Sequence, residues 1–256
     1  MSPERFAFLV GVMVFAGGAV GLILQRVLPE KFTTGGPRDM IGAVVGLLTL
    51  LSALVLGLLI WTAYGVYAGQ NLAVQTLAAK VLQLDLALAD YGPDAAPVRA
   101  KVRQNLAKTI DDIWRANESD ASFVAKNFSA AVESLRNREK ALGDLHASTD
   151  AEKHALATAT ATVDAIAQSR LQMSFALSNP VSYPLLLMVV GWAIFLFCGY
   201  GLMSKGNPMS IAAGAVGAIA IASAIYLILD LSDPYSGAFR TSSAPLEQVL
   251  AIMGKE

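Results

Sequence analysis

The sequence predicts an all-α integral membrane protein, with four transmembrane helices in two hairpins and a four-helix water-exposed domain inserted between spans two and three. Three observations predict it. Of 256 residues, 55% are hydrophobic and 15% charged, where a soluble domain carries about 25% charged residues. Mean hydropathy is +0.52. Four runs, 6–25, 40–79, 171–204 and 206–229, contain no Asp, Glu, Lys or Arg. Each reaches the roughly 20 residues that a helix needs to cross a bilayer at about 1.5 Å per residue. Buried core helices of a soluble protein would show the same runs, but the rest of this chain is too small to cover four of them.

Spans one and two are expected at about 6–28 and 40–67, forming a hairpin domain over 1–68. A cleavable signal would turn polar after the small residues 16–19, whereas Val20, Leu22, Ile23 and Leu24 continue the apolar run. Trp61, Tyr64 and Tyr67 mark the exit of span two, because amphipathic rings favour the headgroup level. Pro180 and Pro184 bracket the entry to span three, with Tyr183 as an anchor. Spans three and four are expected at about 182–203 and 209–229 within a second hairpin domain, 179–230. The turn between them holds Gly206 and Pro208, one permissive and one helix-breaking.

The segment 69–178 has mixed, nearly balanced charges and apolar residues at helical spacing. Four stripes stand out: Val74 to Leu88, Val98 to Ile113, Val124 to Leu145, and Leu156 to Leu171. The Tyr91-Gly92-Pro93-Asp94 stretch ends the first helix, and Asp94 can cap the second. Thr149 followed by Glu152 fits a capping box before the fourth. The first helix is continuous with span two, so 40–89 forms a rod of about 75 Å.

Several function classes drop out. A net charge of -1 excludes a strongly basic nucleic-acid binder. One cysteine, Cys198, excludes an intrachain disulfide. His146 and His154 lie eight apart across a turn, a poor spacing for a metal, so no metal and no cofactor are expected. No catalytic constellation appears, and an enzyme is not expected. No charge lies at mid-membrane depth, which argues against a proton pump or ion-coupled transporter. Asn117 and Asn127 begin glycosylation-type triplets, which are frequent by chance.

Small residues recur four apart at Gly17 and Gly21, Gly42 and Gly46, and Gly214, Ala218 and Ala222. Such patterns let helix backbones approach closely in a bilayer. Thr49, Ser52 and Thr62 on span two are candidate pore-facing hydroxyls, although such groups often bond their own helix carbonyls. The C-terminal part, 231–256, reads as a turn followed by an amphipathic helix over 246–253. Asp230 and Asp233 leave the last span, Pro234 and Gly237 make the turn, and Arg240 follows. A carboxylate at a helix C-terminus opposes the helix dipole, so either an Asp230–Arg240 or Asp233–Arg240 pair offsets it, or both aspartates are hydrated and Arg240 contacts lipid phosphate.

That C-terminal pattern, with Asp230, Pro234, Gly237 and Pro245, resembles a bestrophin-like bacterial membrane family. The Trp61-Thr62-Ala63-Tyr64 exit of span two and the paired-hairpin layout share in the resemblance. The similarity of layout covers nearly the whole chain, while its specific motifs are short. The resemblance implies kinship with bestrophin anion channels, pentamers with a helical cytosolic region between spans two and three. The family's calcium clasp has no match here. The expected protein is thus an oligomeric, bestrophin-like anion channel of the cell's inner membrane, its partners being the lipid bilayer, further copies of itself and anions. The alternative is a non-conducting membrane scaffold or sensor whose helical domain binds a partner.

Basic residues near the membrane do not orient the chain. Arg5, Lys80, Arg170 and Arg240 lie on one face, and Arg26, Lys31, Arg38 and Lys205 on the other. Span one alone favours a cytoplasmic 26–39 loop, and the resemblance implies a cytosolic 69–178 domain. Thiol labelling of an Asp120→Cys variant lacking Cys198 distinguishes the two.

Overall fold

The computed structural model describes residues 2–29, 34–115, 129, 132, 142, 145–178, 182–204 and 206–254. Among these residues the fold is all helical, with no strand. The helices are α1 (Pro3–Val27), α2 (Gly36–Tyr91), α3 (Ala96–Ile110), α4 (Asp150–Ser178), α5 (Tyr183–Met203), α6 (Pro208–Leu231) and α7 (Ala244–Ile252). A 3₁₀ turn, Pro93–Ala95, precedes α3, and a π-wound turn, Asp111–Arg115, continues it. Of these helices, α1, α2, α5 and α6 are long and apolar enough to cross a membrane. The chain forms two compact units, Met1–Gly65 with Val181–Ser232, and Val66–Pro180 with Asp233–Glu256.

In the first unit, α1 packs against α5 and α6. It buries Ala7, Val10, Val14, Gly17 and Gly21, alternately three and four apart, which is one helical stripe. The partner α5 buries Leu186, Val189, Val190, Ala193, Leu196 and Gly201. Opposite faces expose large apolar side chains, such as Phe8 at 74% and Phe195 at 68%, as suits surfaces bathed by hydrocarbon. Asn207 caps α6 by accepting a hydrogen bond from the Met209 N–H at 3.0 Å, with Pro208 at the first helical position, where a missing N–H costs nothing.

In the second unit, α2 buries Gln70, Val74, Leu77, Val81, Leu84, Leu88 and Tyr91. The steps alternate four and three, a 3.5-residue repeat that keeps one seam facing its partners. Val74, Leu77 and Val81 pack with Leu106, Ile110 and Ile113, and with Tyr235, Leu246, Val249 and Met253 from the C-terminal segment. Leu84, Leu88 and Tyr91 pack with Leu142, Leu145, Ala155 and Ala159. Most of the expected third stripe, from Val124 to Leu135, lies outside the described residues, as do Asn117, Asn127 and Lys205.

The cap of α3 differs from expectation. Ala95, not Asp94, occupies the N-cap position of α3, and no side chain caps it. The 3₁₀ turn takes up the entry instead, with its Ala95 N–H bonded to the Gly92 carbonyl and Gly92 at φ 113°, a value that favours glycine. The Thr149–Glu152 box is formed: the Glu152 N–H donates to Thr149 Oγ1 and the Thr149 N–H donates to Glu152 Oε2, both at 3.2 Å. The Ser148 N–H adds a third bond to the same carboxylate at 2.7 Å. These bonds, the Ser148 backbone bond first, hold the Glu152 carboxyl below the usual carboxylate range. A group so shifted stabilises the fold above its unfolded pKa, and that contribution is lost as pH falls through the folded pKa. Amide exchange at Ser148 and Thr149 should therefore accelerate as pH drops below about 4.3, beyond the intrinsic pH dependence. Thr149→Val should cost about 1 kcal/mol of α4 stability, read by exchange along its first turn.

Candidate functional site

The closest helix contact lies between α1 and α5, which run parallel. A Cβ on Gly17 would stand 2.8 Å from the Ile194 carbonyl oxygen. On Gly21 it would collide with the Cys198 carbonyl oxygen and stand 2.9 Å from Leu202 N. Across the seam, a Cβ on Gly201 would collide with the Gly18 carbonyl oxygen and stand 3.0 Å from Leu22 N. The seam is therefore glycine on both sides. Gly201 was not among the sequence candidates, because no second small residue four positions away completes a pattern that stands out on span three.

The other small-residue positions separate. Ala218 is buried, and α6 crosses α1 where a Cβ on Gly11 would stand 3.1 Å from Ala222 Cβ. Gly42 would meet only the flexible Met203 Cε, at 3.4 Å. Gly46 and Gly214 would meet nothing within 4 Å, so neither is a close-approach position within the chain. Gly214 instead lines a cleft of about 560 Å³ between α1, α5 and α6.

The three hydroxyls of α2 do not share a face. Thr49 donates to the Val45 carbonyl at 2.8 Å and lies 3.1 Å from the Tyr200 hydroxyl. Thr62 donates to the Leu59 carbonyl at 2.9 Å. At about 100° per residue the two stand about 140° apart, so one lumen cannot receive both. Ser52 is buried with Val45, Leu59 and Ala63 on the inward stripe of α2. As a set, the pore-facing expectation does not fit one helix face. Thr62 alone is exposed without a contact to another helix among its hydrogen bonds.

In the C-terminal turn the hydrogen bonds of Arg240 run to main-chain carbonyls. Asp230 is 2% exposed, close to Tyr226 one turn earlier. Asp233 accepts from Ser236 Oγ at 2.5 Å, Gly237 takes φ 78°, and the Thr241 N–H closes the loop on the Pro234 carbonyl at 2.8 Å. Arg240 Nη2 donates to the Ile113 and Trp114 carbonyls, at 3.3 and 2.5 Å. Both carbonyls lie in the π-wound turn at Asp111–Arg115.

Around this loop lies a polar set absent from the sequence candidates. Tyr235 donates its hydroxyl to Gln70 Oε1 at 2.8 Å, and Gln70 Nε2 donates to the Met173 carbonyl at 3.1 Å. Trp114 Nε1 donates to the Thr241 carbonyl at 2.7 Å, and its ring meets Tyr235 edge-on at 5.9 Å. Burial pushes the Tyr235 phenol well above its ordinary pKa, so it remains a donor at any physiological pH. The signal that could have found Gln70 is its place in the 3.5-residue repeat, where a lone amide interrupts apolar residues.

Further along α2, Arg99 donates Nε and Nη2 to the two oxygens of Asp85, both at 2.9 Å. Lys80 Nζ donates to the Ala165 carbonyl at 3.1 Å and to Ser169 Oγ at 2.5 Å. Arg170 donates to Thr109 Oγ1 at 3.3 Å, and burial pulls its guanidinium below the ordinary arginine pKa.

Comparisons with known proteins follow the same outline. No curated protein matches the sequence. A bacterial bestrophin homologue from Klebsiella pneumoniae, solved as a single-residue variant, aligns over 100% of this chain and 99% of its own, at 13% identity and TM-score 0.61. A second structure of a bacterial bestrophin homologue from that organism aligns over 96% and 95%, at 13% identity and TM-score 0.57. A membrane-protein variant aligns over 99% and 98%, at 14% identity and TM-score 0.57. At such identities these likenesses show the fold, an all-helical bestrophin fold with several apolar helices. The bestrophin-like domain matches residues 6–246, nearly the whole length, and the chain therefore belongs to the bestrophin-like family.

Proposed function

We propose that this protein assembles in the membrane from several copies and conducts anions, with the 66–180 unit as its extramembrane part. The observation that carries the reading is family membership over residues 6–246, on a chain whose four apolar helices match the bestrophin fold. The outward stripe of α2 supports it. Leu47, Leu54, Leu58 and Trp61 are exposed at 57% or more, with Thr62 beside them. Copies arranged with this stripe inward would line a lumen with apolar rings, a lining that gates by dewetting.

Reconstitution into planar bilayers tests the reading. A verified oligomer should carry currents whose reversal potential follows the chloride gradient and ignores the identity of the cation. Silence across salts and voltages would remove conduction and leave the non-conducting scaffold.

A further inference from the structure

We infer that the cleft between α1, α5 and α6 holds an acyl chain of an anionic glycerophospholipid, whose phosphate rests against Arg26. The cleft measures about 560 Å³, within the roughly 300–1,000 Å³ range of small-molecule sites. Its walls are graded. Tyr200, Ser204 and Ser210 lie towards one end, and Phe15, Phe197 and Gly217 lie deeper. From Ser210 to Gly217 is seven residues, or about 10 Å along the helix axis. That depth takes roughly half of a membrane lipid's tail and leaves the rest in the bilayer.

Charge decides what sits at the mouth. Arg26 Nη2 stands 3.6 Å from where a Gly206 Cβ would lie, so the guanidinium hangs over the α5–α6 turn. Arg38 reaches the same turn through the Met203 carbonyl, at 3.3 Å. The loop segments 26–39 and 204–208 together carry four basic residues against two acidic ones. A guanidinium binds phosphate strongly through paired N–H donors. A second copy of this chain docking by the same face would bring like charges together, so a lipid is the better complement. Gly214 belongs to this cleft: with no side chain there and nothing within 4 Å, it keeps the space open.

The test uses the full chain in mild detergent, titrated with phosphatidylglycerol, phosphatidylcholine or inorganic phosphate. Thermal unfolding and native mass spectrometry are the readouts. Phosphatidylglycerol should raise the melting temperature more than phosphatidylcholine, and at least one lipid per chain should persist in the gas phase. Arg26→Gln should weaken phosphatidylglycerol binding about tenfold, the loss of one charge-assisted contact, and leave phosphatidylcholine binding unchanged. Gly214→Leu should lower the lipid count for both headgroups. Equal stabilisation by the two lipids, or by inorganic phosphate, would overturn the site. So would an unchanged lipid count in Gly214→Leu with a shift to smaller oligomers, which would assign the cleft to a second copy. None of these readouts involves conduction, so the result is independent of the channel reading.

Discussion

Gly21→Ala should lower the melting temperature of the detergent-solubilised protein sharply, although alanine favours helix over glycine by about 1 kcal/mol. The added Cβ would collide with the Cys198 carbonyl oxygen, which belongs to backbone and cannot swing aside. Overpacking of this kind costs roughly 1–3 kcal/mol, and more where backbone must move. Gly21→Leu should exceed that and yield heterogeneous elution. Gly201→Ala should behave like Gly21→Ala, and the double variant should lose less than the sum, because one separation of α1 from α5 relieves both clashes. Gly46→Leu, with nothing within 4 Å, is the control and should leave the melting temperature unchanged. A Gly21→Ala variant as stable as the parent would show that the two helices do not touch there.

Arg99→Ala should be the costliest single truncation in the second unit, Val66–Pro180 with Asp233–Glu256. Asp85 is 3% exposed and receives both prongs of the Arg99 fork. Removing one partner of a fully buried pair costs about 3–5 kcal/mol, because the remaining charge stays desolvated. The Arg99 side chain is 24% exposed, so water can enter beside Asp85, and about 2–3 kcal/mol is expected. Asp85→Ala/Arg99→Ala should recover part of the loss, as read by thermal unfolding. Additive losses would show that the two groups do not depend on each other.

How far the sequence carries depends on whether a feature belongs to one helix or to two. Hydropathy belongs to a single segment, so the charge-free runs mark α1, the first part of α2, α5 and α6 closely. The expected span 182–203 and the observed Tyr183–Met203 differ by one residue. The capping box was also legible, since Thr149 and Glu152 satisfy each other across three positions. Pairing was not. Gly17 and Gly21 stand out as a motif, but nothing on span three marks Gly201 as their counterpart. For Arg240 the sequence offers charged partners, a carboxylate or a lipid phosphate, because charge is visible in a sequence, whereas main-chain acceptors such as the Ile113 and Trp114 carbonyls are not. Gln70 resembles any surface amide until its turn of α2 is seen to be buried.

The order in which the chain is made bears on the glycine seam. Cys198 leaves the ribosome about 180 residues after Gly21. At roughly 5–20 residues per second, α1 waits on the order of ten to thirty seconds for α5. Throughout that interval its glycine face has only lipid or the insertion machinery against it. A chain halted before residue 194 would leave the face without its partner. The seam closes only when the second half of the protein has arrived.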